Sequence, residues 1–339
     1  MPSHDETFMR AALREARKGL GRTSPNPAVG CVIVRGGKIV SRGWHRAAGR
    51  PHAEIEALRK LRSARGCEVF ITLEPCSTHG RTPPCTEALI AAGVKRVVYG
   101  ATDPNPAHRG RARALLERAG IRVTEGVLGA ECTELNEGWN HWIVTGMPFV
   151  IAKCGMTLDG RIDSPPGRRW LTGEAARRDA MRRRAQVDAI LVGAGTVRAD
   201  NPRLTLRGVR GRQPRRVVWS RSGQLPADCH LLTDEWRERT EVTRGRSLRQ
   251  VLRNLGRQGV VQVLIEGGGE TLGAALDGGL VQRVEIYVAP LITGGRVPAF
   301  GGRGVGSNAA AWHLQNPRYT KIGPDLKISA RLVSLRKKN

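Results

Sequence analysis

The feature that most constrains this chain is a set of potential metal ligands that lie far apart in sequence. His52 begins a His-Ala-Glu triplet that ends at Glu54, and Cys76 and Cys85 each follow a proline. One imidazole and two thiolates provide three ligands of a tetrahedral Zn²⁺ site and leave the fourth position for water. Local patterns place His52 and Cys85 at helix starts and Cys76 just beyond a strand, so the fold must bring these points together.

The pattern favours catalysis over a structural metal site. Glu54 lies beside a ligand without being one, where its carboxylate can carry protons between a water and a leaving amine. Zinc nucleobase deaminases share an HxE…PCxxC signature, although here eight residues separate the two cysteines. The alternative is a structural zinc held by four protein ligands, of which His79 would be the fourth.

Helix and strand patterns alternate along the chain, which predicts layered α/β domains with parallel strands. The 339 residues suit two domains, and a turn at Gly146-Met147-Pro148 separates the predicted domains 1–147 and 148–339. The predicted helices include 8–20, 52–61, 86–92, 111–119, 175–185, 248–256 and 271–276. The predicted strands include 29–34, 68–73, 96–99, 121–124, 149–153, 189–192, 217–219, 261–265 and 284–289. Residues 207–247 are Arg-rich and otherwise read as irregular.

The charge balance favours an anionic partner. Lys and Arg number 56 against 30 acids, which gives a net charge of +26. Two alternatives therefore stay open. One is a zinc deaminase acting on nucleic acid of the tRNA type, with an appended basic nucleotide-binding domain; the other is a basic nucleic-acid-binding protein with a structural zinc. The eight-residue spacing opposes the first, and the second leaves Glu54 unexplained.

Neither a membrane span nor a secretion signal is expected. The longest apolar runs fall far short of the ~18–20 residues of a transmembrane helix. The first residues contain acids and lack an apolar signal core. Seven irregularly spaced cysteines suggest reduced thiols rather than a disulfide framework. We therefore expect a cytoplasmic protein without a membrane partner.

Several motifs resemble one known family. The run TLEPCSTHGRTPPC over 72–85 closely resembles the bifunctional riboflavin-biosynthesis deaminase-reductases. The same is true of PNPAVG over 25–30, HAE over 52–54 and DPNP over 103–106. The similarity continues with LDG over 158–160, GTVRADNP over 195–202, EGG over 266–268 and AP over 289–290. It covers nearly the whole chain.

The resemblance implies a two-step enzyme. A cytidine-deaminase-like α/β/α domain would use zinc to convert 2,5-diamino-6-(5-phosphoribosylamino)pyrimidin-4(3H)-one into 5-amino-6-(5-phosphoribosylamino)uracil. A dihydrofolate-reductase-like α/β domain would then use NADPH to reduce the ribosyl group to ribityl. The expected partner is this small phosphoribosyl pyrimidine rather than nucleic acid, and the resemblance suggests a homo-oligomer.

Roles for individual residues follow from the same resemblance. In the deaminase, zinc would be held by His52, Cys76 and Cys85, and Glu54 would be the proton shuttle. The deaminase substrate would contact Asn26, His45, Arg81, Asp103 and Asn105. In the reductase, Asp200 is the candidate proton source. The reductase substrate would contact Asn201, Leu204, Arg207 and Glu266. NADPH would contact Lys153, Trp170, Thr172, Gly195, Thr196, Gly267, Gly268 and Gly269.

Without the resemblance, the glycines of the second half are ambiguous. Residues 193–196 and 266–269 each follow a predicted buried strand, where glycine allows a phosphate to approach the backbone. On the residues alone, tight turns are the favoured explanation of these glycines, and the near match to GxGxxG at 304–309 reads as a loop.

The chain also departs from the family pattern. Thr78 stands where the family commonly has histidine, so a phosphate contact there would need compensation from His79 or Arg81. In the reductase half, Arg168, Ser220 and Arg221 replace smaller or acidic residues. An arginine at either place could bind the 2′-phosphate of NADPH or obstruct the pocket.

Overall fold

The computed structural model describes residues 2–79, 83–106, 108–164 and 170–334. Arg81 and Arg168 lie outside these ranges. The chain divides into two compact units, residues 1–146 and 147–339. The predicted α/β class is confirmed in both units. Within the described ranges, no helix is both long enough and apolar enough to cross a membrane.

The described part of the first unit is a five-stranded mixed sheet with helices on both faces. Its strands are β1 Gly30–Arg35, β2 Lys38–Trp44, β3 Glu68–Leu73, β4 Arg96–Ala101 and β5 Arg122–Glu125. Its helices are α1 His4–Arg17, α2 Ala53–Leu58, α3 Cys85–Ala91, α4 Arg111–Arg118, α5 Gly129–Leu135 and α6 Glu137–Thr145. The strand order is β2-β1-β3-β4-β5, in which β3, β4 and β5 run parallel.

The alternating side chains of β3 show why helices cover both faces of the sheet. Val69 and Ile71 are fully buried in a core shared with α2, α3 and α4. Phe70 points to the opposite face, where its ring lies 5.2 Å from that of Phe8 on α1. Because parallel strands are buried on both faces, they read as nearly continuous apolar runs, and the sequence VFITL shows this pattern.

The second unit is built on an eight-stranded sheet of the described residues. Its strands are β6 Phe149–Thr157, β7 Ala189–Gly193, β8 Arg215–Trp219, β9 Thr240–Val242, β10 Gln262–Ile265, β11 Arg283–Ala289, β12 Trp312–Ile322 and β13 Asp325–Ser334. Its α-helices are α7 Glu174–Arg184, α8 Ala194–Asp200, α9 His230–Thr233, α10 Leu248–Arg257 and α11 Gly269–Asp277. Short 3₁₀ turns occupy Arg237–Arg239 and Asn308–Ala310.

The strand order β12-β13-β11-β6-β10-β7-β8-β9 places β10 between β6 and β7, and all three run parallel. Their carboxyl ends therefore meet at one edge, where ligands of open α/β sheets bind. The expectation of an irregular segment over 207–247 is wrong in part, because α9 and β9 form there. The antiparallel pair β12 and β13 also lacks a predicted counterpart, since β12 is exposed along most of its length and β13 is only partly buried.

Gly43 controls how closely α2 approaches β2. A Cβ at Gly43 would overlap the carbonyl oxygen of Ala53 and lie 2.6 Å from the amide nitrogen of Ala57. Ala53 stands between His52 and Glu54, so this close packing sets the position of both side chains.

We expect Gly43→Ala to push α2 away from the sheet and to lower the free energy of unfolding of the first unit. Overpacking of this kind costs about 1–3 kcal/mol. The thermal unfolding temperature and the zinc content, both measured on the purified protein, should decrease together. Val40→Ala, at an exposed position on β2, is the matched control and should leave zinc binding unchanged. Retention of full zinc content and stability by Gly43→Ala would contradict this account.

Candidate functional site

The three predicted metal ligands meet in the first unit. His52 immediately precedes α2, Cys85 is the first residue of α3, and Cys76 lies in the turn after β3. The Nδ1 atom of His52 lies 3.3 Å from the Sγ atom of Cys85 and 3.6 Å from that of Cys76. Among the described residues, this is the group of three His, Cys, Asp or Glu side chains close enough to hold a metal.

This arrangement fits Zn²⁺. Zinc–nitrogen bonds of about 2.0–2.1 Å and zinc–sulfur bonds of about 2.3 Å, arranged tetrahedrally, separate ligand atoms by roughly 3.5 Å. Hydrogen bonds from Cys85, whose backbone N–H lies 3.2 Å from the sulfur, and from His52 lower the pKa of Cys76. Cys76 is therefore prepared as a thiolate, the form that binds a metal. The set has three protein ligands, which is typical of catalytic zinc sites.

His79 is not placed as a fourth ligand. Its side chain is exposed, and its Nε2 atom lies 3.1 Å from a carboxylate oxygen of Glu87 on α3. This removes the observation on which the structural-zinc alternative depended.

Glu54 lies beside the ligands on α2 and is only 3% exposed. Burial raises the pKa of its carboxyl group, in spite of the opposing effect of His52. A carboxyl group with a raised pKa can both accept and return a proton near neutral pH. Its burial and its position next to the ligand cluster suit it to proton transfer.

A cavity of about 340 Å³ opens onto this cluster. It is lined by four of the five predicted deaminase substrate contacts, which are Asn26, His45, Asp103 and Asn105. The fifth, Arg81, lies outside the described residues. Two tryptophans that the sequence reasoning missed, Trp139 and Trp142 of α6, complete an apolar wall.

The hydrogen bonds of His45 define its protonation state. Its Nδ1 atom lies 3.0 Å from the carbonyl oxygen of Pro51, which can only accept a hydrogen bond. Its Nε2 atom lies 3.1 Å from the side-chain nitrogen of Asn26, which can only donate. Burial lowers the pKa of His45, in agreement with a neutral ring. His45 therefore holds the amide of Asn26 in a defined orientation.

Glu74 organises the opposite wall of the cavity. Its buried carboxylate accepts hydrogen bonds from the backbone N–H groups of Asp103, Gly110 and Ala112, each at 3.1 Å. The segment 103–112 is thereby anchored at both ends. Burial raises the pKa of Asp103 to about 6. Sequence reasoning missed Glu74 because its partners are backbone groups, although its place immediately before Pro75 and Cys76 in the motif was a usable signal.

A larger cavity of about 970 Å³ lies at the carboxyl ends of the central strands of the second unit. The predicted reductase residues that line it are Lys153, Trp170, Thr172, Thr196, Asp200, Asn201, Leu204, Arg207, Glu266, Gly267 and Gly268. The structure thus brings most of the predicted cofactor and substrate contacts to one surface.

A buried ion pair forms the floor of this cavity. Arg184, the last residue of α7, donates two hydrogen bonds to the carboxylate of Glu266, at 2.7 and 2.9 Å. Lys153 lies 3.9 Å from the same carboxylate. Burial alone would raise the pKa of Glu266, but these cations lower it to about 2. Sequence reasoning missed Arg184, although it continues the Ala176, Ala180 spacing of the buried helix face.

Backbone conformation marks the next segment of the wall. Asn201 and Leu204 both adopt the left-handed region, with φ values of 40° and 52°. This region is costly for leucine, and such strain often accompanies a functional site. The Asn201 side chain accepts a hydrogen bond of 2.8 Å from the backbone of His230, which also lines the cavity. Partial desolvation raises the pKa of the neighbouring Asp200, although that residue retains exposed surface.

Four positions considered in the sequence do not line the cavity. Gly195 and Gly269 are absent from its walls, and a Cβ at Gly269 would overlap the carbonyl oxygen of Pro298. Gly269 is therefore required for packing at the start of α11. Ser220 is buried and accepts a hydrogen bond from Gly223, whereas Arg221 is exposed. Neither contributes to the described wall, so neither obstructs the pocket.

Comparison with known proteins matches two family profiles to different parts of the chain. A family profile described as "Cytidine and deoxycytidylate deaminase zinc-binding region" matches residues 2–101. A second, described as "RibD C-terminal domain", matches residues 148–328. The riboflavin biosynthesis protein RibD of Mycobacterium tuberculosis is 42% identical, with 95% of each chain covered. That of Actinobacillus pleuropneumoniae is 38% identical, with 97% of this chain and 96% of the relative covered.

Solved structures agree in fold. Acinetobacter baumannii RibD superimposes with a TM-score of 0.88 at 34% identity, covering 98% of this chain and 99% of the other. A diaminohydroxyphosphoribosylaminopyrimidine deaminase/5-amino-6-(5-phosphoribosylamino)uracil reductase from Thermotoga maritima gives the same TM-score and identity, covering 97% and 99%.

The ligand geometry predicts one zinc ion per chain that depends on the cysteine cluster. Cys85→Ala should lose this zinc because two remaining ligands bind the ion much more weakly than three. Cys67→Ala removes another buried thiol of the first unit and should retain it. Metal analysis of the dialysed proteins distinguishes the two. Equal zinc content in both variants would show that the ion binds elsewhere.

Proposed function

Since the chain belongs to the RibD family of riboflavin-biosynthesis proteins, we propose specific substrates and specific roles for its residues. Its two activities are a deamination and a reduction, and its cofactors are Zn²⁺ and NADPH. The proposed first substrate is 2,5-diamino-6-(5-phosphoribosylamino)pyrimidin-4(3H)-one. The proposed second substrate is 5-amino-6-(5-phosphoribosylamino)uracil. We assign deamination to residues 1–147 and reduction to residues 148–339.

The observation that carries the deaminase proposal is a buried carboxyl group, Glu54, next to a cluster of three zinc ligands at a cavity. His52, Cys76 and Cys85 would hold the ion, which supplies the Lewis acidity that makes water a nucleophile near neutral pH. Glu54 accepts a proton from the attacking water and returns it to the departing amine. The C–NH₂ bond is thereby exchanged for a carbonyl, and ammonia leaves.

The remaining residues of this cavity position the pyrimidine. Asn26, oriented by neutral His45, presents its amide to the ring, and Asp103 and Asn105 face it from the anchored segment 103–112. A fixed set of hydrogen-bonding groups lowers the entropic cost of reaching the reactive geometry.

In the second unit, Lys153, Trp170, Thr172, Thr196, Gly267 and Gly268 are proposed to bind NADPH, which supplies the hydride. Glu266, Asn201, Leu204 and Arg207 are proposed to bind the substrate. Asp200 supplies the proton that accompanies addition of the hydride at C1 of the ribosyl group, in its imine or open-chain form. A raised pKa suits this role because Asp200 keeps its proton at a higher pH than an ordinary aspartate.

The proposal also covers the partner, the oligomeric state and the location of the enzyme. The partner is a small phosphoribosyl pyrimidine rather than nucleic acid, because both cavities accept a ligand of nucleotide size. A homo-oligomeric, cytoplasmic enzyme is proposed on the family resemblance alone.

The most informative experiment supplies the diaminopyrimidine substrate with and without NADPH. Ammonia release and the loss of NADPH absorbance near 340 nm are followed separately. We expect ammonia in both reactions and NADPH consumption only after deamination. Ammonia without any NADPH consumption would refute the reductase proposal while leaving the deaminase proposal intact. A salt-dependent gel shift with RNA would instead favour the nucleic-acid alternative.

We expect Glu54→Gln to keep its zinc and to lose ammonia release. General acid–base groups contribute about 10²–10⁴-fold to a rate, and glutamine cannot transfer the proton. Glu56→Gln is the matched control, since Glu56 lies on the same helix but pairs with Arg46 at 3.2 Å. Retained deamination in Glu54→Gln would overturn the role given to Glu54.

Asp200→Asn should slow NADPH oxidation by about 10²-fold or more, for the same reason. Ammonia release by the first unit should not change. Asp228→Asn, at an exposed position outside the cavity wall, should have no effect. An unchanged reductase rate in Asp200→Asn would assign the proton to another donor.

A further inference from the structure

We propose that His108, held in place by Thr78, binds the phosphate of the deaminase substrate at the rim of the first cavity. The inference rests on the proposed function, which supplies a phosphorylated substrate. It assigns to this chain a binding residue that the sequence motifs do not identify.

The position of His108 is determined by the segment on which it lies. Glu74 anchors this segment through the N–H groups of Asp103 and Gly110. Between the two anchors, the backbone N–H groups of His108 and Arg109 donate to the carbonyl oxygen of Asn105 at 2.9 and 3.0 Å. This turn brings the imidazole to the wall of the cavity.

A second contact orients the imidazole ring. The Oγ1 atom of Thr78 lies 3.1 Å from the Nδ1 atom of His108. This bond uses one ring nitrogen, and within the described ranges the Nε2 atom has no hydrogen-bond partner. The ring is therefore held by one nitrogen and can offer the other to a ligand.

An unsatisfied hydroxyl group lies immediately beside this pair. The Oγ atom of Ser77 is buried, and no described residue provides it with a hydrogen-bond partner. Buried hydroxyl groups are almost always hydrogen-bonded in native proteins. Among the described residues, this hydroxyl therefore keeps an unused donor next to Thr78.

The available groups suit phosphate oxygens. When the Thr78 hydroxyl donates to the Nδ1 atom of His108, the ring carries its proton on Nε2, and that N–H and the Ser77 hydroxyl can donate hydrogen bonds without a negative charge. Of the carboxyl groups of the cavity, Glu54 lies beside the zinc cluster, Glu74 accepts hydrogen bonds from the segment 103–112, and Asp103 accepts one from the backbone of Asn105. Phosphate accepts several hydrogen bonds at once, and His108, oriented by Thr78, supplies one of them from the cavity wall.

This arrangement resolves the departure at residue 78. Thr78 replaces the histidine that the family commonly has, and His79 does not compensate because it pairs with Glu87 and is absent from the cavity wall. His108 provides an imidazole from the facing segment instead, and Thr78 holds it. The chain thus offers a matched pair of histidines, one predicted to bind phosphate and one not.

The test compares His108→Gln with His79→Gln. KM and kcat for ammonia release are measured with the phosphorylated diaminopyrimidine and with the same compound after removal of its phosphate. We expect His108→Gln to raise KM for the phosphorylated substrate about tenfold, the effect of losing one good hydrogen bond, with kcat within about twofold. KM for the dephosphorylated substrate should not change, and His79→Gln should match the unsubstituted protein with both.

Thr78 provides an independent readout. Thr78→Val should raise KM for the phosphorylated substrate, because the ring loses the contact that orients it. Thr78→Ser keeps the hydroxyl group, so its KM for the phosphorylated substrate should match that of the unsubstituted protein. This pair decides the question if His108→Gln fails to fold, which would appear as lost zinc and a lower unfolding temperature.

Three results would overturn the proposal. They are an equal rise in KM for both substrates, a loss confined to kcat, and an effect of His79→Gln as large as that of His108→Gln. Failure of the proposed function is distinguishable, because the unsubstituted protein would then release no ammonia from the phosphorylated substrate.

Discussion

The first unit depends on the convergence of two helix starts upon the sulfur of Cys76. Hydrogen bonds from the side chain of Cys85, the ring of His52 and the backbone N–H of Cys85 lower the pKa of Cys76 and favour its thiolate. The helix starts and the turn after β3 thus bring the three ligand atoms within reach of one ion. A preorganised set costs little rearrangement on binding, and the close packing at Gly43 and the apolar core beneath α2 and α3 serve to maintain it.

The second unit depends on an ion pair that keeps a buried carboxylate charged. A buried carboxylate at the end of β10 would normally take up a proton or destabilise the fold. The bidentate contact of Glu266 with Arg184 keeps it ionised at the floor of the cavity. The Nε and Nη2 atoms of Arg184 donate to this carboxylate. Its remaining nitrogen, Nη1, donates to the carbonyl oxygen of Thr205. One side chain therefore links α7, β10 and the strained segment around Leu204.

The sequence was most informative where a motif has a specific chemistry. His52, Glu54, Cys76 and Cys85 could be predicted to meet, because proline-flanked cysteines and an HxE triplet have few other uses. Residues that belong to no such motif were missed. Asn136, for example, forms two hydrogen bonds with the backbone of Ala28 and so fixes the loop that carries Asn26. A lone asparagine in a helical region carries no signal of such a partner, since the contact exists only once α6 packs beside that loop.

The arginine excess shows why net charge is a poor guide to function in this chain. Arg216 is only 1% exposed, and it binds both carboxylate oxygens of Asp234 as well as the carbonyl oxygens of Arg203 and Leu231. Arg96 likewise joins Asp5 of α1 to Glu68 of β3. A guanidinium group offers five donors in a fixed plane, so it can cross-link several segments where lysine cannot. Because each of these arginines is paired with carboxylates of the fold, an anionic partner is not needed to explain them.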